Sequence, residues 1–68
     1  MIRQHASDQL NGIADGGLIS KDLADRIYVC EPISELEQNQ VIAIAAECGN
    51  DELHDFMINY QTFMRKIV

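Results

Sequence analysis

The sequence predicts an all-α fold, a compact bundle of three to four short helices with a C-terminal helical hairpin as its core. Three observations carry that prediction. Apolar residues recur at steps of three and four rather than alternating. Ser34, Glu35, Leu36 and Glu37 spell S-x-x-E, the capping box that starts a helix. Between the periodic runs stand Gly16-Gly17, Pro32 and Gly49-Asn50, the residues that interrupt helices. No repeat or linker divides the 68 residues, so 1–68 reads as a single helical domain.

The first run places Ile2, Ala6, Leu10, Ile13 and Ala14 on one side and Arg3, Gln4, Asp8, Gln9 and Asn11 on the other, which predicts a helix over about 2–15. Gly12 weakens it by about 1 kcal/mol relative to Ala, and Gly16-Gly17 ends it. Ser20 is placed to cap a short second helix with Leu23, Ala24, Ile27 and Tyr28 as its buried face and Leu18 or Ile19 folded back across the cap. Pro32 then biases Glu31 towards an extended conformation and separates the second helix from the third.

The third helix is expected to start at Ser34. Its apolar positions are Leu36, Val41, Ile44, Ala45 and Cys48, with Ile42 widening the stripe. Gly49 supplies a left-handed terminus and Asn50 an N-cap for the last helix. In that helix Leu53, Phe56, Met57, Tyr60, Phe63, Met64 and Ile67 step by three and four without a break. Asp51 and Glu52 lie at the positive end of its dipole and Arg65 and Lys66 at the negative end, so electrostatics agrees with the pattern.

Size bounds the core. A 7.7 kDa chain exposes roughly 4,300 Å² folded against about 11,000 Å² unfolded, and such a core seldom supplies more than about 3–5 kcal/mol. With 47% hydrophobic residues and one proline the chain is ordered rather than disordered. No run approaches the roughly 18 apolar residues of a membrane span, and Met1 to His5 are not followed by an apolar signal region. A cytoplasmic, reducing setting is expected, with Cys30 and Cys48 as free thiols and Cys48 buried on the apolar stripe.

Charge is the strongest functional signal. The net charge is −6, and from Ile27 to Met64 there is no Lys or Arg while Glu31, Glu35, Glu37, Glu47, Asp51, Glu52 and Asp55 all fall there. Such a field repels phosphate backbones and anionic membranes and attracts basic protein surfaces.

Other chemistry is weakly supported. Asp15 to Ser20 has the look of an EF-hand loop, but either register lacks the oxygen ligands at positions one, three, five and twelve, so a helix–helix turn is the better account. Leu23-Ala24 followed by Val29 suggests a helix-turn-helix. Its recognition helix would begin at Glu35 and Glu37, with no cation to meet phosphates. Glu47, Asp51, His54 and Asp55 lie close in sequence as metal or acid–base candidates, yet Gly49-Asn50 breaks the helix between the first two. His5 has no partner in sequence. A Cys–His54 nucleophile is disfavoured by the acidic neighbours.

The sequence therefore reads as a protein-binding chain, not an enzyme, with no cofactor and no metal. Its expected partner is a basic surface of another protein, such as a nucleic-acid-binding complex, met through Glu31, Glu35, Glu37, Glu47, Asp51, Glu52 and Asp55. In size and charge alone the chain resembles the inhibitors that phages and plasmids direct at host nucleic-acid machinery, anti-CRISPR proteins and other DNA mimics among them, which act in the host cytoplasm. No residue motif carries that comparison. The alternatives are a dimeric regulator of the helix-turn-helix kind and an adapter subunit of a larger assembly. Surplus apolar surface on the last helix is compatible with a homodimer.

Overall fold

The computed structural model describes residues 4–67, the side chain of Ile67 excepted. Among them the chain forms four helices and no strand: α1 (Gln4–Asp15), α2 (Lys21–Tyr28), α3 (Glu35–Glu47) and α4 (Asp51–Ile67). Ile2, Arg3 and the Ile67 side chain, which the periodicity assigns to helices, lie outside the described residues.

Three of the helices end the same way. After α1, α2 and α3 the chain takes one residue in the left-handed region, Gly17 at φ 80°, Cys30 at φ 60° and Gly49 at φ 69°. Each is flanked by the paired backbone bonds of a Schellman motif. Leu18 N–H donates to the Ile13 carbonyl and Gly17 N–H to that of Ala14; Glu31 to Arg26 and Cys30 to Ile27; Asn50 to Ala45 and Gly49 to Ala46. Glycine adopts this conformation freely, whereas a residue with a Cβ is disfavoured there by about 1–2 kcal/mol. Cys30 tolerates it because its side chain packs against the core and the Tyr60 hydroxyl donates to the carbonyl of the next residue, Glu31.

Helix starts follow the sequence signals closely. Ser20 Oγ accepts from Leu23 N–H at 3.1 Å. At α3 the capping box is complete: Ser34 Oγ accepts from Glu37 N–H, and Glu37 Oε1 accepts from Ser34 N–H, each at 3.2 Å. The start of α4 is different. The N–H of Leu53 is taken at 2.9 Å by Gln9 Oε1 of α1, 44 residues away, so a tertiary contact does what the sequence assigns to Asn50.

The helices close on three sides. α3 packs on α4, α4 on α1, and α1 on α2, but α2 and α3 are not packed against each other. One continuous core fills the interior, drawn from Leu10 and Ile13 of α1, Ile27 of α2, Val41 of α3 and Leu53 and Met57 of α4, among others. The first two helices thus supply about as much of the core as the hairpin does. The folded surface, 4448 Å², is close to the roughly 4,300 Å² expected of a monomer of this mass.

Several expected core positions are on the surface. Leu36 is 69% exposed, because it stands nine residues before buried Ala45, about two and a half turns and so the opposite face. Gln38 takes the inward position instead, its amide donating to the Ile33 carbonyl at 3.0 Å. Cys48 is exposed at the end of α3 rather than buried. Tyr28 and Phe63 are also exposed, since α2 buries only the strip facing α1 and Phe63 flanks the line through Leu53, Met57, Tyr60 and Met64.

Candidate acidic interface

The hairpin sorts the seven carboxylates into two groups. α3 is 13 residues long, about 20 Å, and the groups lie at its two ends.

At the start of α3 the charge is largely engaged. The Glu35 carboxylate meets the Arg65 guanidinium at 2.9 Å, both side chains remaining solvent-exposed. The sequence has no cation between 27 and 64, yet the fold returns one from the chain's end, so the expected lack of compensation fails at Glu35. Asn39 and Gln61 bond across the same seam at 2.9 Å. Glu37 is half-buried, and its Oε1 accepts both the Ser34 N–H and the Ser34 hydroxyl, which leaves Oε2 open. Glu31 is exposed, with its backbone carbonyl holding Tyr60.

The far end is different. Glu47, Asp51, Glu52 and Asp55 are all exposed around the Gly49 corner, and none of them forms an ion pair among the described residues. Asp51 and Glu52 occupy the first turn of α4, where the helix dipole favours an anion by about 0.3–1 kcal/mol. Glu47 has no such support: it lies in the last turn of α3, which carries no basic residue, so the dipole opposes its charge. Asp51 and Asp55 are four apart on one helix, a like-charge pair that costs roughly 0.2–0.5 kcal/mol.

The remaining candidates are not assembled into sites. Among the described residues no group of three or more His, Cys, Asp and Glu side chains stands close enough to hold a metal ion, so Glu47, Asp51, His54 and Asp55 do not converge. The loop from Asp15 to Ser20 is the Schellman corner already described. Both cysteines are free thiols, and His5 is exposed. The perturbed group is Tyr60: burial pushes its hydroxyl above the ordinary value, a hydrogen bond with the Ile33 backbone pulls it down, and Cys30 and Glu31 add to the rise electrostatically.

Sequence reasoning missed the Arg65–Glu35 pair although the signal was present. In an antiparallel hairpin turning near Asn50, residues equally distant from that point face each other. Residues 35 and 65 are each fifteen away, and 39 and 61 each eleven. Gln9 offered no such signal, because the approach of α1 to α4 depends on packing angle.

Among the described residues these features define an all-α fold of four helices with an unpaired acidic corner. No protein family matches the chain, and no curated protein or solved structure shows significant similarity to it. No described helix is long and apolar enough to cross a membrane.

Proposed function

We propose that this chain is a small acidic regulator or inhibitor, not an enzyme, that binds a basic surface of another protein through the corner between α3 and α4. The observation that carries the reading is the exposed, unpaired set Glu47, Asp51, Glu52 and Asp55. Glu47 opposes the dipole of its own helix and Asp51 repels Asp55, so the arrangement costs stability without a compensating ion pair among the described residues. Departures of that kind from local consistency concentrate at functional sites. Glu31, Glu35 and Glu37 form a second, weaker part of the surface, since Arg65 and the capping box engage two of them.

The partner class is a nucleic-acid-binding protein of the host cytoplasm, whose Lys and Arg are arranged to meet phosphates and accept carboxylates in their place. This is the chemistry used by phage-type, anti-CRISPR-like inhibitors. A helix-turn-helix regulator needs two helices packed across a turn of about three or four residues. Here α2 and α3 are separated by 29–34 and do not pack together, which favours the protein-binding reading.

The test is an affinity capture from cell lysate at about 50 and 500 mM salt, comparing the parent with a Glu47→Lys, Asp51→Lys, Asp55→Lys variant of unchanged helicity. The parent should retain basic, nucleic-acid-binding proteins at low salt and the variant should lose them. Identical proteins retained by both would dispose of the proposal.

A further inference from the structure

Resting on the protein-binding reading above, we infer that the open side of the bundle, between the α1–α2 corner and α3, receives an amphipathic helix of the partner bearing Lys or Arg. Because the helices close on three sides only, a groove of about 570 Å³ remains where α2 and α3 face each other. Leu18, Ile19, Ser20 and Leu23 form one wall, and Gln40, Ala43 and Ile44 the other. That is the lining of a helix-receiving groove, apolar with few polar groups.

The α3 wall extends beyond the groove in both directions. Leu36, four residues before Gln40, continues it with a side chain 69% exposed, and Leu18 opposite is 54% exposed. Large apolar groups held in water on both walls are what an occupant's apolar face would cover. Glu37 lies on the groove at one end, with Oε2 open, and Glu47, four residues past Ala43, lies exposed at the other. Ten residues of helix set these carboxylates about 15 Å apart along the axis. On the other side Asp22 is taken by Arg26 at 2.7 Å and Lys21 stands exposed, so the acidic attraction for the occupant's cations comes from the α3 wall.

An occupant therefore needs an apolar stripe about three turns long with cations flanking it. A second copy of this chain fits poorly, because two molecules of net charge −6 would each bring an acidic α3 wall to the contact. The groove joins the acidic corner at Glu47, so one basic helix reaches both.

The probe is a synthetic 18-residue helical peptide with Leu at i, i+3, i+4 and i+7 and Lys elsewhere. Two controls are a shuffled peptide of the same composition without an apolar face, and the original with Glu for Lys. Methyl NMR of the full chain should show the first peptide shifting Leu18, Ile19, Leu23 and Ile44, with both controls binding at least tenfold more weakly. Ala43 is exposed, so Ala43→Gln, which fills the groove, and Ala43→Arg, which also adds a cation, should leave the circular dichroism intact and weaken binding tenfold or more. Equal binding of the shuffled peptide, backbone amide shifts at Asp51 and Asp55 with the groove methyls unmoved, or the same methyl shifts on self-association without peptide would each overturn the inference. Failure here is separable from failure of the acidic-corner reading. If both Ala43 variants capture the lysate partner normally while the corner variant loses it, the groove assignment falls and the corner stands.

Discussion

Removing the acceptor that Gln9 offers to α4 tests whether the bundle is held by long-range capping. The Gln9 carbonyl takes the N–H of Leu53 at 2.9 Å, and Leu53 is fully buried. Deleting an N-cap acceptor costs about 0.5–2 kcal/mol, and leaving a buried N–H unmet costs about 1–3 kcal/mol. Partial access of water beside exposed Asp51 and Glu52 favours the lower range, so Gln9→Ala should lose about 1–2 kcal/mol. For a domain of this size that lowers Tm by about 4–16 °C. Gln9→Leu keeps the volume without the acceptor and should lose nearly as much, whereas Gln9→Glu keeps an acceptor and should lose less. Thermal and urea unfolding by circular dichroism gives the magnitudes, and amide exchange at Leu53 gives the location. If Gln9→Leu is as stable as the parent, the hydrogen bond contributes nothing and shape alone joins α1 to α4.

Three further perturbations address the core, a strained backbone and pH. Leu53→Ala should cost about 2–5 kcal/mol, comparable to the roughly 3–5 kcal/mol available to so small a core, and leave the chain largely unfolded at 25 °C by near-UV circular dichroism. With Cys30 at φ 60°, Cys30→Gly should be more stable than Cys30→Ala by about 1 kcal/mol in urea titrations, since only glycine relieves the left-handed position. Tyr60 has a pKa raised above 10.0 in the folded chain, so the folded state holds its proton more tightly than the unfolded state. The stability this confers is complete below pH 10 and is lost as pH rises through the folded value. The parent's advantage over Tyr60→Phe in urea unfolding should therefore be constant at neutral pH and shrink in alkali.

Local grammar was legible in the sequence and tertiary register was not. The helix count, the capping box at Ser34 and the left-handed stops at Gly17 and Gly49 rest on interactions within five residues, which sequence pattern encodes directly. Cys30 performs the same role as those glycines, but nothing in a cysteine announces a positive φ. Leu36 and Cys48 were expected inside because both are apolar, while the inward face of α3 passes through Gln38, Val41 and Ala45. A helix with apolar residues on most sides does not reveal which side is buried. The acidic block was fully visible as composition. What folding changed was its distribution, since Arg65 meets Glu35 while the corner at Glu47, Asp51, Glu52 and Asp55 forms no ion pair among the described residues.

What that corner seeks is measured most directly by the salt dependence of association. For the partner recovered by capture, affinity should fall steeply between about 50 and 500 mM salt. The dependence should be nearly flat for the Glu47→Lys, Asp51→Lys, Asp55→Lys variant, and duplex DNA should compete with the parent for the partner without binding the parent itself. Affinity indifferent to salt in the parent, or tight binding of duplex DNA by the chain alone, would contradict the account.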